Sequence, residues 1–131
     1  MNRMPSISAC RTLVALSALA IPLLAVAVPA TAQSAFNGTW SVLIVTNNGP
    51  CDRAYRYPVR VANGRVSYAG EADFTVAGRV SGNGAVNVTV SRGRQRASGS
   101  GRLTGGSGSG TWRGSDSSDT CSGSWTAEKR G

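Results

Sequence analysis

Residues 54–69, Ala54-Tyr55-Arg56-Tyr57-Pro58-Val59-Arg60-Val61-Ala62-Asn63-Gly64-Arg65-Val66-Ser67-Tyr68-Ala69, spell out a β-hairpin from end to end. Tyr55, Tyr57, Val59 and Val61 fall on one face at period two, the alternation of a half-buried strand. Asn63-Gly64 is the dipeptide that a two-residue primed turn prefers, because both central residues of that turn need a positive φ. Arg65 to Ala69 then reads as the returning strand.

The same grammar extends in both directions. Upstream, Gly38 to Thr46 (GTWSVLIVT) is a continuous apolar, β-branched run, the pattern of a strand covered on both faces, and Asn47-Asn48-Gly49-Pro50-Cys51-Asp52 follows as a loop. Downstream, Phe74, Val76 and Val80 alternate, Ser81-Gly82-Asn83-Gly84 turns the chain, and Val86, Val88 and Val90 alternate again. Arg96 to Thr104, Ser107 to Arg113 and Cys121 to Glu128 are three further strand-length segments, separated by Gly105-Gly106 and by residues 114–119. No stretch after Gln33 has helical spacing, and the 17 glycines oppose helix throughout. Eight short strands joined by tight turns predict an all-β antiparallel meander. Closed on itself, such a meander is an eight-stranded up-and-down β-barrel with no free edges; a two-sheet β-sandwich is the alternative.

The first third reads differently. Arg3 and Arg11 flank a polar start, residues 12–28 are almost wholly apolar, and Pro29-Ala30-Thr31-Ala32-Gln33 closes the segment with small residues. These are the three parts of a secretory signal peptide, expected to span residues 1–32 and to be cleaved after Ala32, leaving one domain over residues 33–131. An uncleaved anchor is the competing reading, which Pro22 opposes by interrupting the apolar run. Without an Arg-Arg pair the general export route is expected, to the periplasm or the medium.

Cys10 belongs to the leader, so Cys51 and Cys121 remain. In an oxidising compartment they predict one disulfide, worth roughly 4 kcal/mol in the chain-entropy account for a loop of about 70 residues. In a closed meander the end of the first strand lies beside the start of the eighth, which is where these two cysteines stand. Two thiols without any histidine make no zinc site, and neither a metal nor a cofactor is expected.

The 14 basic side chains outnumber the 6 acidic ones, and Lys129 is the only lysine. Removing Arg3 and Arg11 with the leader leaves a net charge of +6, which favours anionic surroundings such as acidic polysaccharide, lipopolysaccharide or nucleic acid. Arg92, Arg94 and Arg96 surround the turn Arg92-Gly93-Arg94-Gln95 and form the candidate anion contact, with a solvated turn as the plain alternative. No aromatic residue lies between Val90 and Leu103 to stack on bases, so nucleic acid is not the expected partner.

Phe36-Asn37-Gly38-Thr39-Trp40 and Ser122-Gly123-Ser124-Trp125 resemble the Gly-x-Trp starts and ends of small calyx-type barrels, the lipocalin and avidin group. The resemblance implies a barrel with Trp40, Trp112 and Trp125 near a pocket for a small apolar or cyclic ligand, with Tyr55 and Tyr57 as further candidate lining. The polar set that avidins place around their ligand is not found, so biotin is not carried over. The alternative is that these indoles plug the barrel as core. The chain also resembles secreted bacterial metalloprotease inhibitors, small barrels with one disulfide, although their bridge joins cysteines closer in sequence. Residues 33–37 would then be the arm such inhibitors insert into a protease cleft.

Glycine and serine dominate Ala97-Ser98-Gly99-Ser100-Gly101 and Ser107-Gly108-Ser109-Gly110. They read as curvature of a narrow barrel, with the tryptophans and Tyr55 or Tyr57 leaning over them, or as a groove emptied for a ligand. Catalysis has little support. Histidine is absent, and Glu71 with Asp73, two residues apart, is a pair that could share a strand face for a carboxylate-dependent hydrolase, with solvated positions beside the turn at Ala69-Gly70 as the plain alternative. Asp116 and Asp119 lack the spacing of a calcium loop. The expected function is therefore a non-enzymatic exported binding protein, monomeric, taking a small apolar ligand or an anionic envelope polymer, with a protease inhibitor and a hydrolase as alternatives.

Overall fold

The computed structural model describes residues 17–20 and 34–131; the rest of the leader, its cleavage point and Gln33 lie outside the described residues. The strands are β1 (Gly38–Asn48), β2 (Ala54–Ala62), β3 (Arg65–Tyr68), β4 (Thr75–Val80), β5 (Ala85–Arg92), β6 (Gln95–Thr104), β7 (Ser107–Ser115) and β8 (Thr120–Lys129). Each pairs antiparallel with the next, and β1 pairs with β8, so the sheet is a closed eight-stranded barrel and the sandwich alternative falls away. The primed turn forms as read, with Asn63 at φ 49° and Gly64 at φ 80°.

Two features differ from the sequence reading. Several strands run a residue or two further into their turns, because backbone pairing continues past the last apolar side chain, as at Asn48 opposite Ser122 and Arg92 opposite Gln95. The run in β1 is not covered on both faces: Trp40 is buried, whereas Leu43 and Val45 point outward and are half-buried. Leu43 lies opposite Arg56, whose guanidinium donates to Ser41 Oγ at 3.0 Å, so a charged neighbour flanks this apolar position.

Inward-facing residues alternate along every strand, as closure requires. Val59, Val61, Val66, Val76, Val80, Val86, Leu103 and Ala127 pack with Trp40 and Trp125, and no polar or charged side chain is buried among the described residues. The inward positions of β6 and β7 are largely glycine, and the Trp125 indole occupies the space they leave. Trp125 lies opposite Gly110, which lies opposite Gly101. A Cβ at Gly110 would sit 2.6 Å from Trp125 Nε1, and one at Gly101 would sit 2.6 Å from its Cζ2. Each indole N–H donates to a backbone carbonyl: Trp40 to Phe36 at 2.9 Å, Trp112 to Val45 at 3.0 Å and Trp125 to Ser100 at 3.2 Å. A buried donor left unpaired would cost about 1–3 kcal/mol, so these bonds fix the ring orientations.

The barrel has two unlike ends. At one, the turns at residues 63–64, 81–84 and 105–106 surround Phe36 and Trp40, the latter 1% exposed. At the other, the connections at residues 49–53, 69–74, 93–94 and 116–119 surround a mouth, and the Cys51–Cys121 disulfide spans the β1–β8 seam there. Such a bridge persists in an oxidising environment.

Candidate functional site

The inside of the barrel is not completely filled. A cavity of about 150 Å³ remains, walled by Trp40, Val42, Ile44, Tyr57, Val88 and Trp125 among others, and nearly all of its exposed lining is apolar. Valine dominates the β2–β5 side, where a β-branched side chain on a pleated wall reaches only part-way to the axis. The β6–β7 side carries glycine, so Trp125 can lie flat against it. The remaining space is the volume that neither wall reaches.

At the mouth the cavity meets a cleft of about 370 Å³ whose lining mixes apolar side chains with the polar Thr46, Asp52, Arg92, Arg96, Asp116 and Asp119. Ile44, Val90, Ala97 and Trp112 line both spaces and form the neck between them. Trp112 is held there by its bond to Val45, with Gly99 opposite on one side and Gly123 on the other.

The candidate aromatic residues separate by height. Trp40 lies near the closed end, Trp125 lines the middle and Trp112 the neck, while Tyr57 lines the cavity from β2. Tyr55, 40% exposed, lines the outer cleft and not the cavity. The expectation that Tyr55 or Tyr57 would lean over the small residues is corrected by the ring contacts. Tyr57 meets Phe74 edge-on at 4.9 Å and Tyr55 at 4.5 Å; Phe74 also meets Tyr68 at 5.5 Å, and the Arg92 guanidinium carbon sits 5.0 Å from the Phe74 centroid. The tyrosines face β3 and β4 instead, because β3 ends at Tyr68 and the segment before β4 brings Phe74 over the opening. Burial beside Tyr55 and Tyr68 pushes the Tyr57 hydroxyl above its ordinary value, so it stays neutral at physiological pH.

Arg92, Arg94 and Arg96 do stand together at the mouth, but in mixed company. Asp52, Glu71, Asp73, Asp116 and Asp119 all lie in the connections at that end. Asp116 is held below the ordinary carboxylate range by the backbone N–H of Ser117, by the Gln95 side chain and, more weakly, by Arg94. The arginine trio therefore faces a nearly balanced rim. Glu71 and Asp73 are exposed and line neither the cavity nor the cleft. Among the described residues no group of three or more histidine, cysteine or acidic side chains is placed to hold a metal.

Residues 34–37 fold across the closed end. Phe36 packs against the core, Asn37 accepts from the Asn63 N–H at 2.7 Å, and Trp40 donates to the Phe36 carbonyl. The described part of the proposed inhibitory arm thus lies against the barrel. The neck residues Ile44, Val90 and Ala97 were not singled out in the sequence, where only their inward parity marked them.

Compared with known family profiles, curated proteins and solved structures, the chain matches none.

Proposed function

We propose that this protein is an exported, non-enzymatic binding protein that takes a small apolar ligand into the barrel through the mouth beside the disulfide. The apolar cavity of about 150 Å³, joined to solvent by the Ile44–Val90–Ala97–Trp112 neck, carries this reading. A cavity of that size with such a lining stays dry and accepts guests of benzene size. The lining carries no carboxylate, histidine or free thiol, and its only hydroxyls are those of Tyr57 and Ser98, which supports binding over chemistry. Export rests on the leader-like segment and on the bridge, which needs an oxidising compartment.

The test is a titration of the protein spanning residues 33–131 with toluene, indole and N-phenyl-1-naphthylamine, followed by tryptophan fluorescence and calorimetry. Saturable one-to-one binding of at least one probe is expected, perturbing the emission of Trp112 and Trp125. Ala97→Phe, which places a ring in the neck, should abolish it while circular dichroism shows the same β-sheet signature. Absence of saturable binding by all three probes, or equal binding by the Ala97→Phe variant, would sink the proposal.

A further inference from the structure

Among the described residues, a cluster of like charge lies on the outer wall, away from the mouth. Arg65 on β3 stands directly opposite Arg79 on β4, and both are exposed. Ala62, the partner of Arg65 on β2, is two residues from Arg60, so Arg60 is the diagonal neighbour on the same outward face. Side chains directly opposite in an antiparallel pair have Cβ atoms about 5 Å apart, and like charges there are destabilising.

Nothing acidic relieves this cluster. Of the 6 acidic side chains, Glu128 alone lies on a strand, on β8, where it pairs with Arg130 at 3.2 Å. The others crowd the mouth. The outward strand positions consequently carry Arg56, Arg60, Arg65, Arg79, Arg96, Arg102 and Arg113 against Glu128 alone, and no carboxylate stands on β2 to β5.

Beside Arg65 and Arg79 runs a shallow groove, lined on its outward side by Ser67, Asn87, Thr89 and Ser98. Hydroxyl and amide groups next to paired guanidinium groups complement a ligand that carries both acidic groups and hydroxyls. Among the described residues no outward strand position bears an aromatic ring, since Trp40, Tyr55, Tyr57, Tyr68, Trp112 and Trp125 all have inward parity. Base stacking, the usual source of affinity for single-stranded nucleic acid, is therefore missing from this face. We infer that the outer face of β2–β5, centred on Arg60, Arg65 and Arg79, is a docking surface for an acidic polysaccharide. This surface is independent of whatever fills the barrel.

The probe is polygalacturonate, with neutral dextran and duplex DNA for comparison, and binding is measured at about 20 mM and about 150 mM salt, where screening differs severalfold. Wild-type protein should bind polygalacturonate in a salt-sensitive manner, ignore dextran, and bind DNA no more tightly than polygalacturonate. Substituting Arg60, Arg65 and Arg79 together by serine should weaken polygalacturonate binding roughly thirtyfold or more, while the same substitution of Arg92, Arg94 and Arg96 should weaken it less than about threefold. Both variants lose the same charge, so equal losses would reduce the effect to net charge and overturn the inference. Absence of binding at low salt, or tighter binding of DNA, would overturn it as well. As a second variant, Arg79→Glu sets a carboxylate against Arg65; it should show the same weakening with a melting temperature at or above wild type, which separates a lost docking site from a damaged fold.

Discussion

Gly99 and Gly110 carry the same side chain on neighbouring strands of one wall, yet they do opposite work. A Cβ at Gly99 would meet nothing nearer than 3.6 Å, whereas one at Gly110 would run into the Ser100 carbonyl and come within 2.6 Å of Trp125 Nε1. Gly110 is required by packing; Gly99 is merely permitted. Gly99→Ala is therefore expected to be neutral or to stabilise by up to about 0.5–1 kcal/mol, through the lost freedom of the unfolded chain. Gly110→Ala should destabilise by about 1–3 kcal/mol, because the indole has to leave its place against β6 and β7. Urea unfolding of the two variants decides the matter, and equal effects would mean that the glycines serve strand geometry and not Trp125. The sequence showed that this wall was small. It did not distinguish which glycines an indole covers, because that depends on Trp125 pairing with Gly110 across β7 and β8.

Among the strand pairs, β3 and β4 share the shortest ladder, Arg65 with Arg79 and Val66 with Gly78. Beyond that point the strands part, and Phe74 with its tyrosine neighbours covers the opening. Few backbone bonds, one like-charge pair and an exposed connection make this seam weaker than the one between β1 and β8. Hydrogen exchange should show opening free energies at β3 and β4 about 2–3 kcal/mol below those at the β1–β8 seam. Equal protection at the two seams would refute this. The same seam marks where sequence reading stopped. Strands joined by Asn63-Gly64 or by Gly93 were legible, since a tight turn fixes the register of the strand after it. Residues 69–74 set no such register, so nothing in the sequence placed Arg79 against Arg65. Phe74, two residues before Val76, read as part of an alternating strand; it lies before β4 and over the mouth, a distinction that parity cannot make. The candidate aromatic set was legible as a group for the same reason its heights were not: parity gives the face, and only register gives the level.

For the molecule as a whole, the decisive constraint is closure. Pairing β1 with β8 joins the two ends of the domain, so it carries the largest loop-closure entropy of any contact in the barrel. The bridge between Cys51 and Cys121, with a sequence separation of 70, removes most of that cost by holding the two strands together before they pair. It was readable from the sequence because two cysteines remain once the leader is set aside, and a closed meander brings the end of the first strand beside the start of the eighth. Replacing both cysteines by serine should cost about 4 kcal/mol in the chain-entropy account, seen as a lower urea midpoint. The same constraint governs the kinetics. If the seam is already formed at the folding barrier, the bridge acts on the unfolded chain and on the approach to that barrier, so most of the loss should appear as slower folding, with unfolding little changed. A loss confined to the unfolding limb would show instead that the seam closes after the barrier, and that the bridge acts by clamping the finished barrel.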